Sequence, residues 1–221
     1  MVTRIAVMQP YFIPYAGYFR LFATTDLFVF FDCVQFPRRG WVHRNRLPDY
    51  QGREDWLTLP LKKAAREIRI CDLEFSDKSS ELWKEQTDKF PLFKNSAHRL
   101  SQAISYIEND PVSFIIRSLE ITCASLQIPF NVKRSSELNL PTELKGQERI
   151  IAITKHFGAK EYINPSGGRD LYDKKVFAKN DLKLNFLSDY KGSLWSILHR
   201  LTSEQSVEVK KEILRNCEHI V

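Results

Sequence analysis

Two short apolar runs, IAVMQ at 5–9 and DLFVFFD at 26–32, carry almost no polar positions in their interiors. Runs of this kind suit strands buried on both faces, as in a parallel sheet, and the segment between them is long enough for a crossover helix. The opening therefore predicts a βαβ unit. WLTLPL at 56–61 alternates well enough for a third strand, with Pro60 placing it at an edge or an end.

The middle of the chain changes period. SSELWKEQTDKF at 79–90 predicts a helix that stops before Pro91. Asp110 as N-cap and Pro111 at the first helical position open another, with Phe114, Ile115, Leu119 and Leu126 on roughly one face. Beyond residue 130 the order is strand and loop (NVKRSSEL), helix with Gly158 as its C-terminal cap, strand (KEYIN), loop into helix (PSGGRDLYD) and strand (LKLNFL). Thr202 and Gln205 stand at capping-box spacing, which predicts a surface helix over 202–216. This alternation predicts an α/β fold, with a mostly parallel, Rossmann-like sheet flanked by helices. One domain is expected over 1–221, with 80–130 as a helical subdomain or insertion.

Composition narrows the picture. With 221 residues, 43% of them hydrophobic, the chain can bury a substantial core. No apolar run approaches the roughly 20 residues that cross a bilayer, and Met1 to Arg4 lead straight into strand-like sequence, so a cytoplasmic protein without a membrane span is expected. Cys33, Cys71, Cys123 and Cys217 stand far apart in unlike contexts and are read as reduced. A formal charge of +6 favours an anionic partner without choosing among nucleotides, phosphorylated sugars, nucleic acid and acidic lipid.

In an open α/β sheet ligands sit beyond the carboxyl ends of the strands, and three such loops have unusual composition. The first follows Gln9 with Tyr11, Tyr15, Gly17 and Tyr18, where tyrosines can stack on a ring and amides at a helix start can meet an anion. A rigid packed corner of aromatics and prolines is the competing explanation. The second, CVQFPRRGWVHRNRLPD, reads as a loop that gathers Arg38, Arg39, His43, Arg44 and Arg46 around Trp41 and Asn45, with Asp32 and Gln35 at its start. Guanidiniums beside an indole suit a phosphorylated, ring-containing ligand, an exposed basic loop being the plain alternative. The third, NPSGGRDLYD, can turn the backbone N–H groups of Ser166, Gly167 and Gly168 toward an anion beside Arg169.

Other signals are poorer. His98, His156, His199 and His219 show no metal-ligand spacing, no metal is expected, and no cofactor is specified. Cys33 beside Asp32 and His43 is either a nucleophile or, the favoured choice, a small hydrophobe at a strand end. Neither G-x-x-x-x-G-K-[ST] nor G-x-G-x-x-G occurs.

Taken in order, MQPYFIPYAGYF, FDCVQFPRRGWVHRNRL, WLTLPLKK and ERIIAITKHFGAKEYINPSGGRDLY resemble the WbqC-like protein family from the first strand to about residue 190. The resemblance implies a role in bacterial O-antigen and other surface-polysaccharide biosynthesis, with a glycine-transferase activity suggested for the family. It implies a site built from Gln9, Tyr11, Tyr15, Gly17, Asp32, Gln35, Trp41, Arg44, Asn45 and Arg46, joined by Ser166, Gly167 and Gly168. Two positions depart from the pattern: Cys33 follows Asp32 where a second aspartate is more frequent, and His199 stands where an aspartate is usual. A fainter likeness links the opening strand, loop and helix to nucleotidylyltransferases, with tyrosines and Gly17 in place of their paired histidines.

The leading expectation is a transferase that adds a small acyl or aminoacyl group, such as glycine, to a nucleotide-linked amino sugar or other phosphorylated small molecule, the acyl donor being open. The attacking amine must be neutral, which makes Asp32 the first candidate for general base and His43 the second. A non-catalytic nucleotide-sugar-binding or scaffold protein is the alternative. A single-stranded RNA-binding module is the third, ranked below small molecules.

Overall fold

The computed structural model describes residues 2–95, 97–217 and 219–220; the side chain of His219, one of the histidines weighed above, lies outside the described residues. In chain order the elements are β1 (Arg4–Met8), α1 (Arg20–Thr24), β2 (Leu27–Phe30), β3 (Arg44–Pro48), β4 (Glu54–Thr58), α2 (Ser79–Thr87), α3 (Pro91–Asn95), α4 (Arg99–Ala103) and α5 (Pro111–Leu126). There follow β5 (Val132–Arg134), α6 (Gly146–His156), β6 (Glu161–Asn164), α7 (Lys174–Ala178), β7 (Lys183–Leu187), α8 (Ile197–Ser203), α9 (Ser206–Arg215) and β8 (His219–Ile220).

The main sheet runs β5-β2-β1-β6-β7-β8. Its first five strands are parallel, and β8 joins β7 antiparallel. The fold is α/β, as the alternation predicts. The uninterrupted apolar runs have the expected cause, since alternate residues feed cores on opposite faces. Ala6, Phe28 and Phe30 point to one face, where α5, α8, α9 and the hairpin β3–β4 pack; Ile5, Val7, Leu27 and Val29 point to the other, under α6 and α7. The first core also takes in Trp83, Phe90 and Leu100 of the helical middle segment. Asp110 caps α5 through the N–H groups of Val112 and Ser113, and Gly158, at φ +67°, turns the chain after α6. Among the described residues no helix is long and apolar enough to cross a membrane.

Two expectations need correction. The basic segment after β2 is not loop throughout, because Arg44, Asn45 and Arg46 lie on β3, paired antiparallel with β4. Its alternation is real, with Asn45 and Leu47 buried and Arg44 and Arg46 half-exposed, but arginines on the outer face disguise it. Thr202 is no N-cap: it sits in the last turn of α8, its hydroxyl donating back to the Leu198 and His199 carbonyls, and α9 starts separately after Gln205. The PSGGRDLYD segment leads into a helix as expected, by way of a 3₁₀ turn over Ser166–Leu171 before α7.

Candidate functional site

Because strands are added on one side of β1 by β2 and β5 and on the other by β6 and β7, the order reverses between β1 and β6. Two chain segments therefore leave the carboxyl edge in opposite directions and leave a crevice between them. A cavity of about 630 Å³ occupies this point. Gln9, Tyr11, Tyr15, Gly17 and Tyr18 line it after β1, and Ser166, Gly167 and Gly168 line it after β6.

The first wall is a rigid knot. Ile13 has φ +39°, an uncommon conformation for a β-branched residue. It is held from outside: the Asn45 amide donates to the carbonyls of Phe12 (3.2 Å) and Ile13 (2.8 Å), and the Ser196 hydroxyl donates to Ile13 O at 2.7 Å. The Tyr18 hydroxyl donates to the Gln9 carbonyl at 2.8 Å, which fixes the end of β1. Tyr15 and Tyr190 meet edge to face at 5.3 Å over Gly17. A Cβ on Gly17 would lie 2.2 Å from Tyr15 Cε2 and 2.8 Å from Tyr190 Cγ, so glycine is required for the rings to close. Burial raises the pKa of Tyr11 and of Tyr15, and both remain protonated hydrogen-bond donors at neutral pH.

The opposite wall depends on Gly168, whose added Cβ would fall 1.7 Å from the Asn164 side-chain nitrogen. Gly167 faces open space. Ser166 and Gly167 begin the 3₁₀ turn, so their N–H groups have no preceding carbonyl within it to bond, and among the described residues no other acceptor takes them. Beneath the crevice lies Arg20, 2% exposed, with its Nε donating to Gly17 O at 3.2 Å and its Nη1 to Ser188 O and Asn216 O, both at 2.8 Å. Among the described residues no carboxylate pairs with Arg20, so an uncompensated positive charge lines the cavity.

A second cavity of about 360 Å³ continues past Tyr11 and Tyr15, which line both. It is bounded by Trp41, Asn45, Arg46 and the exposed Leu194. Trp41 and Trp56 stand 5.5 Å apart, with the Arg44 guanidinium 4.2 Å over Trp56 and that of Arg46 5.6 Å from Trp41 and ion-paired to Glu54.

The remaining candidates lie elsewhere. The Asp32 carboxylate is fully buried and accepts from Arg134 Nε (2.7 Å), Ser135 Oγ (3.1 Å), and Ser136 N and Oγ (both 2.8 Å). His43 packs edge-on against Phe36 at 4.9 Å; burial, with the neighbouring Arg44 charge, lowers its pKa to about 4, so the ring is neutral at physiological pH. Gln35 donates to Arg66 O and Arg38 to Ala64 O and Ala65 O, while Arg169 is exposed. Sequence reasoning missed Arg20, Asn164 and Tyr190. A lone arginine inside the apolar run YFRLF was the available signal for the first, and Asn164 opens the NPSGGRDLYD segment already singled out; Tyr190 had none.

A family model described as the WbqC-like protein family matches residues 9–196. The chain is 26% identical over 198 residues to the uncharacterized protein Rv1507c of Mycobacterium tuberculosis (strain ATCC 25618 / H37Rv), covering 86% of this chain and 84% of that protein. No solved structure matches. The matched span takes in every residue named in both walls of the crevice, from Gln9 to Tyr190, and the chain belongs to the WbqC-like protein family.

Proposed function

We propose that the chain is a transferase of surface-polysaccharide biosynthesis that binds a nucleotide-linked amino sugar in the switch-point crevice and acylates its amine, glycine being one candidate acyl group. The observation that carries this is the meeting of open turn amides at Ser166 and Gly167, an uncompensated Arg20 and a tyrosine wall around one cavity of about 630 Å³. Amides and a buried cation suit a diphosphate, tyrosine faces suit a base or sugar ring, and the continuation toward Trp41 and Arg46 gives room for a second ring.

Asp32 and His43 line neither cavity, and among the described residues that do line them there is no carboxylate or imidazole. This favours a second reading, a nucleotide-sugar-binding protein without chemistry of its own. Asp32 is assigned the work of holding the chain beyond β2.

Gly167→Asp separates these readings from a misplaced site. A side chain at Gly167 meets nothing within 4 Å, so the variant should fold, yet its carboxylate would stand where the anion binds. A nucleotide-linked amino sugar at about 100 times its Kd should stabilise the parent by roughly 2.7 kcal/mol in a thermal shift, and Gly167→Asp should lose that shift. No stabilisation by any nucleotide or nucleotide sugar, or a shift that survives in the variant, would refute the site. Mass spectrometry of the bound sugar after incubation with acyl donors then distinguishes transferase from binder.

A further inference from the structure

Beyond the carboxyl end of β2 lies a separate cavity of about 460 Å³, and Phe31 forms part of both its wall and that of the switch-point crevice. Its cationic side comes from Lys145 and Arg149, one helical turn apart at the start of α6. Arg69 also reaches it, but the Arg69 guanidinium is already bound at 2.7 and 2.9 Å by the two carboxylate oxygens of Asp72. The excess positive charge is therefore that of Lys145 and Arg149; among the described residues neither is in an ion pair and no carboxylate lines the cavity.

The Arg149 fork is already oriented, its Nη1 donating to Pro141 O at 3.0 Å and its Nε to Cys33 Sγ at 3.1 Å. Among the described residues its Nη2 has no partner. Phe31, Val34 and Leu144 supply an apolar wall. A guanidinium fixed in plane beside an ammonium, in a concavity with an apolar side, is suited to an oxyanion attached to a less polar remainder.

We propose that this cavity is a second small-molecule site, which holds the phosphate or carboxylate of an anionic ligand between Lys145 and Arg149. The shared Phe31 places that ligand next to the occupant of the crevice. On the transferase reading this ligand is the co-substrate; its binding does not depend on that reading.

Cys33 lines the cavity and is partly exposed, which makes its thiol a reporter. The full-length protein would be treated with iodoacetamide alone and with AMP, glycine or inorganic pyrophosphate, and Cys33 followed by peptide mass spectrometry to separate it from Cys71 and Cys217. At ten times its Kd a ligand leaves about one-eleventh of the sites free, so Cys33 alkylation should slow roughly tenfold. Lys145 is exposed, so Lys145→Ala should fold and should need at least about tenfold more ligand for the same protection. Protection by AMP or pyrophosphate alone identifies a phosphate ligand, and protection by glycine alone a carboxylate. Unchanged alkylation with all three at millimolar concentration, or equal protection in Lys145→Ala, would overturn the proposal. Gly167→Asp should leave the protection intact, so failure here is distinguishable from failure of the crevice.

Discussion

A carboxylate that takes a proton during turnover needs an open lone pair and access to the substrate. At Asp32 the acceptor positions are filled by Arg134, Ser135 and Ser136, and no face of the side chain reaches solvent. Asp32→Asn would turn an N–H group toward a neighbouring donor and remove the partner of Arg134, whose side chain is 25% exposed. Breaking a buried pair this way costs about 3 kcal/mol, or roughly 6–12 °C in the Tm of a chain this size. A general base would behave in the opposite way, with an unchanged Tm and a large loss of turnover. Calorimetry of the purified variant decides between them before any substrate is known.

At the scale of elements, the hairpin β3–β4 works as a clamp on the opening motif more than as a basic loop. Asn45 faces inward and bonds Phe12 O and Ile13 O, while Arg46 faces outward to Glu54. Asn45→Ala should cost about 2 kcal/mol, since buried carbonyls lose donors next to a strained residue, whereas Arg46→Ala removes an exposed ion pair and should cost within about 1 kcal/mol. Denaturant melts of the two variants check the contrast; equal losses would mean that Asn45 does not hold the knot. The same hairpin shows why part of the site escaped the sequence. β1 and β2 were legible because both their faces are buried, which writes a continuous apolar run. β3 buries one face only, and its outer arginines gave the composition of a solvated loop. The tyrosines and glycines of the crevice stood out locally, but Ser196 and Tyr190, which brace them, arrive from more than 170 residues away and leave no trace near the motif.

Across the whole molecule, the strand order puts the crevice at the reversal between β1 and β6, and Arg20 ties that point to the end of the chain. One guanidinium joins the turn at Gly17, the end of β7 at Ser188 and the end of α9 at Asn216. Tyr190, over which it lies at 5.2 Å, donates to Glu212 of α9, and Glu212 in turn pairs with Arg200 of α8. The C-terminal helices are thus part of the support of the tyrosine wall, although none of their residues lines it. Arg20→Met keeps the apolar stem and removes all three side-chain bonds, so the Ser188 and Asn216 carbonyls lose this donor while Gly17 O keeps the backbone N–H of residue 20. Hydrogen exchange by mass spectrometry should then show lost protection over 206–216 and at 188–190, with α6 on the opposite face of the sheet unchanged. Local opening of this kind differs from a global loss of stability, in which protection of α6 and α9 would fall together. The second pattern would make Arg20 a general contributor to the core; the first would make it the link through which the end of the chain shapes the crevice.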